Sequence, residues 1–344
     1  EGHYAGLRGE LARGLALEER ACEWALEMKD LAANKWQQQW HQYLLGYSND
    51  EPSAPAGEVG SYQLSRFLML SYTVNCCGVQ SLDLLDPVRA RAKHEILRDA
   101  PVHLFYELGF TGEVATLREA VQVCKVLPAI PTGRLVLSWA DGDWEPSADG
   151  LRSRIAFWQN AGSSYAIVLA QRFLIRILRA LGDLPGAQTA AQEWLDATLR
   201  GGAVKLEIPA RAELALLFAE THRLAEAEAH LQRCREVLSA GEDWRGIGGR
   251  VRLAEAAYAA ANGSCDDADA HFAAAVGTFR ELTLPWDEAE TFEVWARACR
   301  RFHRGRIRQS FVDEKLNCAR EIYERIGAGQ PWLDRLAAEE AQLA

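Results

Sequence analysis

Gly142-Asp143-Trp144, Gly182-Asp183-Leu184, His222-Arg223-Leu224 and Gly263-Ser264-Cys265 punctuate the chain at steps of 40, 40 and 41 residues. Each triplet separates one amphipathic stretch from another, and a fixed period of that length marks a repeat architecture. The stretches after the turns align with one another. Ser147, Ala187, Ala227 and Ala268 stand five residues past the first residue of each turn, and Leu151, Ala191, Leu231 and Phe272 stand nine past it. A small residue near the start of a second helix lets two helices approach, and a larger one a turn later fills the space below. Hairpins that each bury a face on the next build an all-α solenoid.

Working outward, the pattern predicts helices over 164–181 and 185–199, 207–221 and 224–239, 246–261 and 266–282, and 286–302 and 308–326. Pro185 and Pro285 sit where a first turn tolerates proline, and Gly201-Gly202, Gly241 and Gly327 mark stops. Pro331 to Ala344 reads as an amphipathic helix that caps the open end. Upstream, 147–161, 113–127, 86–99, 61–78 and most of 7–46 look helical, and Ser48 to Gly57 is a polar linker rich in turn formers. No segment alternates with a period of two for long enough to make a strand. The expected organisation is therefore irregular helical hairpins over 1–130, repeats over 131–330 and a capping helix over 331–344.

Composition narrows the function. The 344 residues carry 38 basic and 48 acidic side chains, a formal net charge of −10. A field of that sign repels phosphate backbones and disfavours direct binding of nucleic acid. No apolar run approaches the ~20 residues that cross a bilayer. The start, Glu1-Gly2-His3-Tyr4, has no secretion signal and no Met, as in a fragment of a longer chain. Eight cysteines form no C-x-x-C pair and lie mostly in apolar helical patterns. A reduced, cytoplasmic protein is the simplest expectation.

Three phrases carry a resemblance. Asp243-Trp244-Arg245-Gly246-Ile247-Gly248-Gly249-Arg250 and Leu284-Pro285-Trp286-Asp287-Glu288-Ala289-Glu290-Thr291 open successive hairpins, and Ile322-Tyr323-Glu324-Arg325-Ile326-Gly327-Ala328-Gly329-Gln330-Pro331-Trp332 closes the array. Over roughly 200–344 the chain resembles the C-terminal TPR-like region of large bacterial signalling ATPases. That group includes nucleotide-cyclase proteins with an AAA-type module and the MalT-like LuxR transcription regulators. The resemblance implies a TPR-like superhelix that serves as a scaffold or sensor arm of an ATPase, with catalytic or DNA-binding domains elsewhere. The sequence departs from those regulators in lacking a terminal helix-turn-helix, a P-loop and a cyclase motif. His303-Arg304-Gly305-Arg306-Ile307-Arg308 also replaces the usual Gly-Asp turn.

Chemistry is sparse. Walker A, H-E-x-x-H, G-x-S-x-G and EF-hand patterns are absent, so no enzyme activity, cofactor or metal is expected. Gly246 to Arg250 could cradle a phosphate at a helix start, but no strand precedes it, and glycines also let helices pack closely. His230 and His271 occupy equivalent repeat positions without a third ligand for a metal. Arg297, Arg300, Arg301, Arg304, Arg306 and Arg308 form a basic cluster that suits the C-terminal dipole of a helix and reads as a solvated end. Trp158, Trp194 and Trp295 read as core. Trp144, Trp244, Trp286 and Trp332 read as staples between repeats rather than as a ligand cage, and Trp36 and Trp40 form an amphipathic stripe that reads as packing on the next hairpin before docking of a partner helix. Cys76, Cys77, His94 and His103 would be the candidates for a hidden catalytic site.

First helices of such hairpins line a concave face. Arg172, Arg211 and Arg252 fall 10, 11 and 11 residues before their turns and could stack into a cationic stripe there. The leading expectation is a non-catalytic protein-interaction and regulatory module, its partner a protein or the attached ATPase and output domains. The alternative is a sensor that binds a small-molecule effector in the concave groove. An interaction arm calls for a broad, shallow, charged groove; a sensor calls for a compact pocket with apolar walls and a few converging polar groups.

Overall fold

The computed structural model describes residues 102–341 except 128, 161–163, 202–203, 240–244 and 303–308, together with 97–98 and a few positions between 13 and 28. Among the described residues of 102–341 every regular element is an α-helix. Helices α1 (Val102–Phe110), α2 (Val114–Val123), α3 (Ile130–Asp141) and α4 (Trp144–Asn160) come first. Three hairpins follow: α5 (Ser164–Ala180) with α6 (Leu184–Gly201), α7 (Val204–Glu220) with α8 (Leu224–Leu238), and α9 (Arg245–Ala261) with α10 (Cys265–Glu281). The fourth pairs α11 (Pro285–Phe302) with α12 (Gln309–Ile326), and α13 (Gln330–Ala341) ends the described chain. The all-α solenoid read from the 40-residue period is the observed fold.

The aligned positions pack as their sizes dictate. Ala187, Ala227 and Ala268 are buried, with Ala191, Leu231 and Phe272 below them. At the equivalent Ser147 the hydroxyl donates to the Leu135 carbonyl at 2.9 Å, so a polar side chain enters the same seam with its hydrogen bond satisfied. Helix α7 packs against α9, and α9 against α11, so the first helices form an inner layer. Gly249 is required in that layer, because a Cβ there would lie 2.7 Å from the Phe279 ring.

One local device recurs at the turns. Gly142, Gly182, His222 and Gly263 adopt positive φ, and the residue after each donates its N–H to the carbonyl five positions back, as in Asp183 to Leu178 at 2.8 Å. This is the helix stop in which a left-handed residue satisfies carbonyls that the helix leaves open. The same turn occurs at Thr283, where φ is 54° and Leu284 donates to Phe279 at 2.8 Å. A β-branched residue in that region is strained.

The array curls until its last turn and α13 meet α3. The Gly329 N–H donates to the Ala140 carbonyl at 2.9 Å, and the Trp332 indole donates to the Trp139 carbonyl at 3.1 Å. Arg118 bridges Asp141 at 2.5 Å and the Gly327 carbonyl at 3.2 Å. Helix α13 therefore does more than cover an open end: it seals the last hairpin onto α3. Only glycine fits at 329, where an added Cβ would fall 1.9 Å from the Asp141 carbonyl oxygen.

Two substitutions test this account in opposite directions. Gly329→Ala should lower the midpoint of thermal unfolding by several degrees, because the closure must open to admit a methyl group. Thr283→Gly at an exposed turn should raise it, since relief of about 1 kcal/mol of left-handed strain corresponds to roughly 2–4 °C at this size.

Candidate functional site

The inner layer carries a buried ion network that no single repeat contains. Asp287 on α11 accepts from Arg176 on α5 at 2.5 Å and from Arg250 on α9 at 3.2 Å. Glu290, one turn on, accepts from Arg250 at 2.6 Å, pairs closely with Arg179 and lies 3.6 Å from Arg176. Arg250 also pairs with Glu213 on α7, and Arg179 with Glu220 at 3.1 Å. Arg176, Arg250, Glu213 and Asp287 are all below 9% exposed, so these pairs are desolvated and weakly screened by salt. Burial alone would raise the Glu213, Glu220 and Asp287 carboxyls. The facing guanidiniums, Arg250 for Glu213, Arg179 for Glu220 and Arg176 for Asp287, instead hold them below the ordinary carboxylate range.

Next to this network lies a cavity of about 430 Å³. Its aromatic wall joins α3 to the last hairpin and α13. Trp286 on α11 lies 4.4 Å from Trp139 on α3, 5.1 Å from Trp332 on α13 and 5.5 Å from Tyr323 on α12, centroid to centroid. The polar wall alternates in sign. Glu293 accepts from both Arg335 at 2.5 Å and Arg297 at 3.3 Å, and Tyr323 donates to it as well. Arg297 continues to Glu220 and Glu339, each at 3.1 Å. The volume falls within the range of small-molecule sites, which combine apolar walls with a few fixed polar groups.

Two readings change. Trp286 and Trp332 do join repeats, but together they also wall the cavity. Arg297, Arg300 and Arg301 are not simply a solvated helix end: Arg297 and Arg301 line the cavity, and Arg300 donates to the Glu339 carbonyl at 2.9 Å. Signals for the site were present in the sequence, in Arg176 and Arg179 on one helix face and Asp287 and Glu290 on another. Nothing local, however, indicates that segments 111 residues apart meet.

The proposed stripe residues sit in three different settings. Arg172 is buried with its guanidinium 4.9 Å from the centre of the Phe110 ring, and its charge reaches Glu213 and Asp287. Arg211 pairs with Glu207 at 2.6 Å and lies 3.4 Å from His230. Arg252 is exposed and donates to the Thr278 hydroxyl of α10 at 2.6 Å. His230 stacks on Phe218, and burial with the nearby Arg211 charge lowers its pKa to about 4, so it is neutral at pH 7. His271 stands half-exposed, 3.7 Å from Glu255. Among the described residues, no group of three or more His, Cys, Asp or Glu side chains is placed to hold a metal, and no helix is long and apolar enough to cross a membrane. Trp194 and Trp295 are core and Trp158 is half-buried. Trp36, Trp40, Cys76, Cys77, His94, Trp244, Arg304, Arg306, Arg308 and the His103 side chain lie outside the described residues.

Removing one charge from the network should cost more than removing a pair. Asp287→Asn leaves Arg176 and Arg250 facing a neutral amide and should lower stability by about 3 kcal/mol, whereas adding Arg176→Met, whose other carboxylate Glu290 keeps Arg250 and Arg179, should recover part of that loss. Urea titrations of the three proteins check this. Acid should act in two windows. Unfolded His230 takes up a proton near pH 6.5 but the folded chain only near 4, so stability falls as pH drops across that interval, and His230→Gln should flatten it. The depressed Glu213, Glu220 and Asp287 add a second loss below about pH 4, where their unfolded forms protonate first.

The sequence matches no family model and none of the curated proteins. Among solved structures, the chain is similar to the crystal structure of a Rap protein complexed with Competence and Sporulation Factor. The superposition reaches a TM-score of 0.57 at 12% identity and covers 95% of this chain and 97% of that one. At that identity the likeness shows the fold alone, a TPR-like helical repeat.

Proposed function

We propose that the chain is a non-catalytic regulatory module that binds a ligand in its central cavity and so controls its engagement with a protein partner or attached domains. The observation that carries this is the cavity itself, 430 Å³ walled by residues of α3, α5–α7, α9 and α11–α13. A ligand held there touches elements whose relative position defines the superhelix. It can stabilise one curvature over another only through such differential contact.

Two further points support the reading. The structurally similar Rap protein was solved in complex with Competence and Sporulation Factor, so this fold can hold a bound factor. The wording at 243–250, 284–291 and 322–332 resembles the arms of bacterial signalling ATPases, which favours a place within a larger bacterial signalling or transcription-regulating ATPase in the cytoplasm. A pure interaction arm would present a broad, shallow groove, and the compact aromatic cavity favours ligand sensing as the input to that interaction.

Native mass spectrometry of the chain, purified gently from its source, tests the reading. A stoichiometric added mass of a few hundred daltons is expected. It should be absent from Ala257→Phe, which fills the cavity from α9 and keeps an intact melting transition. A chain that never carries added mass, with a partner affinity indifferent to Ala257→Phe, would remove ligand sensing from the account.

A further inference from the structure

Helix α13 forms one wall of the cavity through Trp332, Arg335 and Glu339, which stand at i, i+3 and i+7 on a single face. Its two halves are held differently. Near the start, Trp332 packs on the rings of Trp139, Trp144, Trp286 and Tyr323 at 5.1–5.8 Å, and Leu336 is fully buried one turn on. Beyond Leu336 no side chain of α13 is buried, and Ala337, Ala338 and Ala341 are exposed.

Polar contacts hold what apolar burial does not. Arg335 reaches both oxygens of Glu293 at 2.5 Å, Arg297 meets Glu339 at 3.1 Å, and Arg320 meets Glu340 at 2.7 Å. Arg300 adds a bond to the Glu339 carbonyl at 2.9 Å. The side chains of Arg335, Arg320 and Glu340 are 21–34% exposed, against 2% for Arg250 and Asp287 in the inner network. Salt therefore screens the pairs of α13 more than those of the inner network. Partly exposed pairs are each worth little, and a segment that depends on them opens at low cost while the buried layers stay closed.

We infer that the half of α13 beyond Leu336 is a salt-released strap across the cavity, with Trp332 as its fixed anchor. The strap lifts away from Arg297, Arg300 and Arg320 while the aromatic cluster and the hairpins stay folded. Its lifting takes Glu339 off the cavity wall and uncovers the stretch of α11 between Glu293 and Arg297, the two residues of that stretch that α13 grips. On the ligand-sensing reading above, this is the way in for the ligand. The lifting itself does not depend on that reading.

Hydrogen exchange of the full chain tests the strap when read at about 0.1 M and 1 M sodium chloride, between which the screening length falls from about 10 Å to about 3 Å. The amides of residues 337–341 should exchange about tenfold faster at high salt, while those of α9 change less than about twofold. Arg320→Gln removes a pair outside the cavity lining, so it should speed the same amides a few-fold at low salt and leave the melting midpoint in place. Ordinary fraying of a helix end responds to neither change, and that outcome would overturn the proposal. Val294→Cys reads the opening of the cavity. Val294 lines it at 2% exposure, so a thiol there meets a maleimide only when its cover lifts, and peptide mapping separates it from the native cysteines. Its labelling should rise with salt, and on adding Arg320→Gln, by the same factor as the exchange. Constant labelling beside accelerated strap amides would equally overturn the proposal. Neither readout uses a ligand, so a chain without added mass leaves the strap standing, and a rigid α13 leaves sensing standing.

Discussion

Asp287 receives guanidinium N–H groups from Arg176 and Arg250, one 111 residues before it and the other 37. The superhelix depends on this meeting. Apolar seams between neighbouring hairpins give each repeat a small rotation and so set the approximate rise and twist of the array. The carboxylates of α11 lock that geometry, because they are buried and must find cations on α5 and α9 at hydrogen-bonding distance. An open array would strand them in a low-dielectric interior, where an unpaired charge costs several kcal/mol. The pairs add little net stability over well-packed apolar residues, but they penalise every curvature except the one in which all of them close.

The remaining contacts follow from that curvature. Once α5 meets α11, Phe173 on α5 brings its neighbours Phe110 on α1, at 4.0 Å, and Trp139 on α3, at 4.7 Å, toward the last hairpin. Trp286 then lies between Trp139 and Trp332, and the glycines at 142 and 329 let α3 and the start of α13 touch through backbone. The cavity is what remains between a ring of ion pairs and a wall of indoles. Its contradictory lining, apolar on one side and charged on the other, results from two closure devices sharing one interior.

Much of the architecture was legible because helical repeats advertise themselves locally. The left-handed turn residue, the small residue five positions on and the larger residue nine on are all short-range signals. They located the hairpins from α5 to α12 to within a few residues. Thr283 carries the same turn without glycine and gives no such signal. Helix α3 is obscured by Pro131 and Gly133, which lower helix propensity; the first is tolerated in the opening turn, and the second is needed where a Cβ would strike the Phe105 ring at 2.6 Å. The site was far less legible. Arginines at 172, 211 and 252 share a register, yet helix rotation sends the first into the core and the third toward α10. Charges that meet across 111 residues are set by the rise and twist of the whole array, which no repeat encodes alone.

A closed ring with an internal cavity also differs from an open solenoid in how it can transmit a signal. In an open array each hairpin touches only its neighbours, and a ligand on one repeat perturbs one or two interfaces. Here Glu293 and Arg297 on α11 contact α12 through Tyr323, α13 through Arg335 and Glu339, and α7 through Glu220. An occupant that draws Arg297 or Arg335 toward itself must weaken pairs that hold α13 in place. Because α13 and the turn before it make the seal onto α3, a change of ion partner inside the cavity would bear on that seal. Coupling of this kind needs no dedicated pathway of residues: the same few charges are at once the floor of the cavity and the clasp of the ring.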